Sequence, residues 1–211
     1  MMFVKSVMIP KYSCYTIEHD QSVKEALEKL EKHHIDGLPV LDGDIYAGII
    51  TKYVIFESFF ASGKTQEDFL QNTMVKEVAK QKDLYLKGNE IFEKTLLNLK
   101  NAPLLAVLDE YNKFLGIVTR FDVLVQFQSA FGMNRPGVRI AFTSSEAEGR
   151  IARLSDIAQS LHEQIISLVT FDETDKLIRR IVIKVEKSEN INIFIKKLED
   201  SGFRILSVDE D

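Results

Sequence analysis

The phrase GIITKYV occupies residues 48–54, and GIVTRFD occupies residues 116–122. Each runs through glycine, two β-branched residues, a threonine, a base and an aromatic ring. They part at the last letter, which is Val54 in one copy and Asp122 in the other. Upstream of each glycine lies a second match, LPVLDGDIYAG at residues 38–48 and LAVLDEYNKFLG at residues 105–116. Both read as a short apolar strand, a turn opened by Asp42 or Asp109, and a returning strand, which is the pattern of a β-hairpin. The second turn is longer by one residue. A repeat of this kind outranks every local signal when the fold is read from sequence.

Each hairpin is flanked by helical patterns. SVKEALEKLEKH (residues 22–33) opens with Ser22 and Glu25 at capping-box spacing, and Val23, Ala26, Leu27 and Leu30 fall on one face. NEIFEKTLLNLK (residues 89–100) puts Phe92, Leu96 and Leu99 on a similar stripe. After the glycine phrases come KYVIFESFF and RFDVLVQFQSAF. Each repeat is thus strand, helix, strand, strand, helix. One such unit leaves the bare face of its sheet uncovered, whereas two units packed back to back cover each other.

Bulk composition fits this reading. The chain has 211 residues, 45% hydrophobic and 28% charged, which is ordinary for globular protein. A net charge of −5 argues against a general nucleic-acid binder. One cysteine, Cys14, excludes an intrachain disulfide framework. The N-terminal residues lack the apolar core of a signal peptide, and no apolar run reaches the ~20 residues that cross a bilayer. A soluble cytoplasmic protein with no membrane or nucleic-acid partner is expected.

The motifs T-I, a helix, h-x-G-L-P-V-h-D, a hairpin and G-h-h-T-x-x-D resemble a CBS domain, and two in tandem resemble a Bateman module. The resemblance places the first CBS domain at residues 1–66 and the second at 67–131. It implies an adenosine-containing ligand in a cleft between the repeats and no catalytic role. The aspartate of the last motif would accept from ribose hydroxyls, while the threonine and nearby N–H groups reach phosphate at a helix N-terminus, which favours anions. Only the second copy keeps the set, as Thr119, Arg120, Phe121 and Asp122. From the first copy the resemblance adds Thr16, Ile17, His19, Ile35, Asp36 and Leu38, with Ile17, Ile35 and Leu38 holding the adenine. The Val54 cleft would draw on Leu86, Ala102 and Pro103, and is expected to be empty or to take something else. The second copy departs from the family at Ala106, where a proline is usual. Aspartate is also a common helix N-cap, which would account for Asp122 without a ligand.

Other motifs carry less. SGKT at residues 62–65 echoes a phosphate loop, but Ser58 stands where that loop needs glycine, and a helix precedes it instead of a strand. His33 and His34 are adjacent and point apart on a helix, and His162 and Cys14 have no partners at ligand spacing, so no metal site is expected.

Gly132, Pro136 and Gly137 mark a linker at residues 132–137. Beyond it Val138, Ile140 and Phe142 alternate; Ile151, Leu154, Ala158 and Leu161 take helical spacing. IISLVTF and RRIVIKVE read as strands. Ile191, Phe194, Ile195 and Leu198 mark a helix closed at Gly202, and FRILSV is a last strand. The order βαββαβ is ferredoxin-like. Residues 138–211 thus resemble an ACT domain, whose ligands, amino acids or similar metabolites, would sit at the loop TSSEAEGR with Ser144 and Gly149. The whole is an α/β (α+β) chain resembling the CBS–ACT proteins of Gram-positive bacteria, among them an acetoin-utilisation branch and receivers of cyclic di-AMP. No cofactor is expected. The ligand expected is an adenine nucleotide, cyclic di-AMP before AMP or ATP, in a homodimer that signals to an unidentified protein effector; the alternatives are an AMP or ATP sensor that binds an amino acid at the ACT-like domain, and a structural dimerisation protein whose CBS clefts are relics and whose ACT-like domain only pairs.

Overall fold

The computed structural model describes residues 4–145, 149–172 and 178–210. A short strand, β1 (Ile9–Pro10), leads into the first repeat: β2 (Ile17–Glu18), α1 (Val23–Lys32), β3 (Leu38–Asp42), β4 (Ile45–Ile50) and α2 (Lys52–Ser62). Two short helices follow, α3 (Gln66–Asn72) and α4 (Val75–Val78). The second repeat is β5 (Tyr85–Lys87), α5 (Lys94–Asn98), β6 (Leu104–Leu108), β7 (Phe114–Thr119) and α6 (Arg120–Ala130). Both repeats therefore have the order read from the sequence.

Local chemistry fixes the ends of these elements. Helix α1 begins at a complete capping box: the Glu25 N–H donates to Ser22 Oγ at 3.2 Å, and the Ser22 N–H donates to Glu25 Oε2 at 2.8 Å. Helix α2 begins at Thr51, whose Oγ1 accepts from the Val54 N–H, and stops at Gly63 with φ 67°. SGKT is therefore a helix stop, a turn and the Thr65 cap of α3. Helix α5 is shorter than its pattern suggested. Phe92 and Leu99 are buried, but Leu96 is 43% exposed, and Thr95 takes the inward place, its hydroxyl donating to the Phe92 carbonyl.

The sheets are β2-β3-β4 and β1-β7-β6-β5. Strand β3 is parallel to β2 and antiparallel to β4, and β6 repeats this with β5 and β7, with a register shift at the matching place in each hairpin. Behind each sheet lies a helical core, one around Ile17, Leu30, Leu38 and Ile55 and the other around Leu86, Phe92, Leu105 and Val118. Phe69, Val75 and Val78 of α3 and α4, which the sequence grouped with the second repeat, pack in the first core. Between the sheets, Leu41, Tyr46 and Ile49 meet Leu104, Ala106, Leu108, Phe114 and Ile117. Both faces of β3 and β6 are covered, which is why their sequences are continuously apolar.

The glycine that opens each phrase has a steric cause. The segment leading into each repeat crosses onto the sheet of the other. Ile9 and Pro10 pair with Ile117 and Gly116, and Lys80 bridges to Ile49. A Cβ on Gly116 would lie 2.1 Å from the Ile9 oxygen, and one on Gly48 would lie 2.7 Å from the Lys80 oxygen. Only glycine lets a backbone pass so close.

The chain divides into the units Met1–Leu124 and Val125–Asp211. The second contains β8 (Val138–Ser145), α7 (Arg150–Ser160), β9 (Ile165–Asp172), β10 (Ile178–Val185), α8 (Ile191–Asp200) and β11 (Arg204–Glu210). The sheet order β11-β8-β10-β9, antiparallel throughout, is that of a ferredoxin-like fold. Ile140, Phe142, Ile181 and Ile183 face Leu154, Ala158, Phe194 and Leu198 of the two helices. Ile151 is exposed, and Ile157 joins this core instead. Gly202 with φ 86° follows α8, and Phe203 then meets Phe142 edge-on, with ring centroids 5.2 Å apart.

Candidate functional site

Two cavities open between the repeats. The smaller, about 360 Å³, lies on the side of the second glycine phrase and is lined by Thr119, Arg120, Phe121, Ile35, Asp36 and the segment Ser13–Tyr15, with Ile9, His34, Gly37, Pro103, Leu104 and Ile117. The larger, about 880 Å³, lies on the side of the first phrase. Its walls include Thr51, Lys52, Tyr53, Val54, Glu57, Lys80, Gln81 and Asn101, with His34, Ile35, Asp36, Pro103 and Arg120 shared between the two.

Thr119 ends β7 and caps α6, its Oγ1 accepting from the Asp122 N–H at 3.2 Å. Asp122 stands third in the helix. Its Oδ2 accepts from the Thr119 N–H and from the Thr119 hydroxyl, both at 2.7 Å. The aspartate therefore does not cap the helix; it closes a capping box with the threonine. In the first copy Val54 holds the same place, and the box has only its threonine half. Arg120 Nε donates to the Leu99 carbonyl at 3.1 Å, which draws the guanidinium across the second repeat and into the walls of both cavities. Cys14 lies in the smaller cavity. Burial, with the Asp122 carboxylate adding to it, pushes its thiol up to about 11 against the lowering effect of the Ile117 backbone. Asp122 thus sits close to this cavity although it does not line it.

The structure sorts the expected residues into three groups. Ile35, Asp36, Thr119, Arg120 and Phe121 come together at the smaller cavity. Ile17 and Leu38, expected to hold an adenine, are 1% and 0% exposed and belong to the first helical core. Strand alternation turns them toward the helices, and the apolar wall is made by Tyr15, Ile9, Ile117 and Pro103 instead. Thr16 and His19 flank β2 without lining the cavity: the Thr16 carbonyl accepts from Lys29 Nζ at 2.7 Å, and His19 Nε2 lies 3.5 Å from Asp42 Oδ1 at the hairpin turn. On the other side Leu86 and Ala102 are buried, and only Pro103 of the expected three lines the cavity.

Tyr15, Lys80 and Gln81 were missed. Tyr15 stacks on His33 with ring centroids 3.7 Å apart. Its signal was an aromatic beside a strand already assigned to the site. Lys80 and Gln81 are placed by the crossing onto β4, which no local motif encodes. In the second unit, Ser144 is buried, and Gly149 starts α7 with φ 77°. The intervening residues 146–148 of the expected ligand loop lie outside the described residues. Among the described residues no cluster of metal-ligating side chains occurs, and no helix is long and apolar enough to cross a membrane.

Residues 4–60 match the CBS domain family. An uncharacterised protein of Methanocaldococcus jannaschii is 28% identical over 57% of this chain, which spans 38% of that protein's length. Inosine-5'-monophosphate dehydrogenase of the same organism is 33% identical over 52% of this chain, which spans 21% of the enzyme. Among solved structures, a CBS domain-containing protein of unknown function from Bacillus anthracis is 27% identical with a TM-score of 0.55, covering 61% of this chain and 94% of that one. CbpB in complex with c-di-AMP (19% identity, TM-score 0.54, 61% of this chain and 85% of that one) shares the fold. CBSX2 in complex with AMP (24%, 0.53, 64% and 100%) also shares it.

Proposed function

We propose that this chain, which carries a CBS domain pair, is a regulatory protein that binds an adenine nucleotide between its repeats and passes that state to a partner protein. The observation that carries the reading is the smaller cavity. It pairs an apolar wall (Tyr15, Ile35, Ile117, Pro103) with a polar one at the start of α6, where Thr119 and Arg120 stand beside the Asp122 carboxylate. A purine fits against the first wall, and ribose and phosphate meet the second. About 360 Å³ lies within the range of small-molecule sites. Cyclic di-AMP is the favoured ligand, with AMP and ATP behind it. The structural relatives held with c-di-AMP and with AMP support the ligand class. No step of catalysis is assigned to the site, whose chemistry is recognition.

The test is a thermal-shift screen of the full chain with AMP, ATP, cyclic di-AMP and S-adenosylmethionine. Preferential binding to the native state raises the midpoint. A rise of several degrees with at least one adenine nucleotide is expected. No rise with any of the four at millimolar concentration would overturn the reading.

A further inference from the structure

The two cavities are not independent. His34, Ile35, Asp36, Pro103 and Arg120 belong to the walls of both. Their chemistry differs. Among the described residues, the one Lys or Arg side chain in the wall of the smaller cavity is Arg120, and the rest is mostly apolar. The larger cavity adds Lys52 and Lys80 to that same arginine and opens onto the first turn of α2, where Thr51 Oγ1 already accepts from the Val54 N–H. Val54, standing where the other copy has Asp122, offers no oxygen to a ribose. We infer that the cavities are two halves of one site: the nucleoside occupies the smaller, and the ligand's further phosphate occupies the larger, with Lys52 and Lys80 as the residues that set specificity for a ligand carrying at least two phosphates. This inference rests on the nucleotide reading above.

Two facts bear on the charge. Asp36 and Glu57 also line the larger cavity, and both lysines have acidic partners: Lys80 pairs with Glu57, and Lys52 Nζ lies 3.7 Å from Glu31. These side chains are about half exposed, and pairs of that kind contribute little to stability. Each ammonium can exchange its carboxylate for a phosphate oxygen: the terminal phosphate of a linear polyphosphate offers more charge and more acceptor oxygens, and a phosphodiester offers the same single charge and two free oxygens. Arg120 lies at the junction, where the first phosphate of a bound nucleotide would stand. A nucleoside monophosphate would use Arg120 alone and leave the larger half without an anion. A linear polyphosphate and a cyclic dinucleotide would each reach the lysines.

Isothermal titration of the full chain with AMP, ATP and cyclic di-AMP, on wild type and on Lys52→Ala/Lys80→Ala, tests the inference. Wild type is expected to bind ATP or cyclic di-AMP at least tenfold more tightly than AMP, and the tighter of the two identifies the linear or the cyclic class. The double variant is expected to lose at least tenfold toward that ligand and to bind AMP within about twofold of wild type. Both substitutions fall on exposed side chains, and an unchanged thermal midpoint without ligand verifies the fold. AMP binding as tightly as both larger ligands, or an equal loss toward all three in the variant, overturns this inference and leaves the nucleotide reading standing. Failure of every adenine ligand to bind overturns both.

Discussion

At the scale of single residues, the two glycine phrases end differently because Thr119 has a carboxylate to complete its box and Thr51 has only the Val54 N–H. Asp122 returns the bond that Thr119 gives, and Val54 returns nothing to Thr51. Asp122→Asn keeps size and one acceptor but loses the charge. Nucleotide affinity is expected to fall by about 1.5–3 kcal/mol, the scale of a hydrogen bond to a charged group. Cys14 supplies an independent reading of the same change. Burial, with the Asp122 carboxylate adding a smaller share, holds the thiol near 11, so removing the carboxylate charge lowers that value somewhat and increases the thiolate present at pH 8. Native Cys14 should react slowly with iodoacetamide, and Asp122→Asn should react faster. If the variant alkylates at the wild-type rate, the carboxylate does not act on this cavity. The linkage has a definite sign: an unfolded thiol ionises near 9 and the folded one near 11, so this group's contribution to stability is present below 9 and declines from 9 to 11.

At the scale of elements, the capping box of α1 makes a pH-dependent contribution. Glu25 is held below its ordinary 4.5, first by the Ser22 N–H and then by the Ser22 hydroxyl and Gln21. A carboxylate depressed in the fold stabilises above its unfolded value and loses that contribution as pH falls through the folded one. Ser22→Ala should cost about 1 kcal/mol at pH 7. Urea unfolding at pH 7 and pH 3 should show the gap from wild type narrowing in acid, and a gap that widens would refute the account. This box, both hairpins and the order of both repeats were legible because each depends on residues within a few positions of one another. The crossings of β1 onto β7 and of Lys80 onto β4 were not, since they join segments far apart in sequence. They are also what put Lys80 beside the larger cavity, so the missed residues of the site and the missed strand of the fold have one cause. Ile17 and Leu38 failed for another reason. Alternation along a strand assigns side chains to two faces, but does not say which face meets the cleft and which meets the helices.

At the scale of the molecule, the repeat leaves a matched pair of apolar surfaces. On α2, Tyr53 is 73% exposed and Phe60 83%, with Phe56 between them also exposed; at the start of α6, Phe121 is 72% exposed and Leu124 follows it. Tyr53 and Phe121 hold equivalent places in the two phrases, as do Phe56 and Leu124. Exposed aromatic side chains repeated at equivalent places by an internal duplication mark a candidate interaction face. A second copy related by a two-fold axis would meet it with the same residues, which is how isologous interfaces close. The chain is therefore expected to be a homodimer, and light scattering at micromolar concentration should return twice the chain mass. Phe56→Glu/Phe60→Glu places two charges on the α2 surface without touching the walls of either cavity. It should give the monomer mass while ligand titration still reports binding. A monomeric wild type would refute the expectation outright. A dimer that survives both charges would instead move the interface to the edges of the second sheet, where β9 and β11 pair on one side only among the described residues.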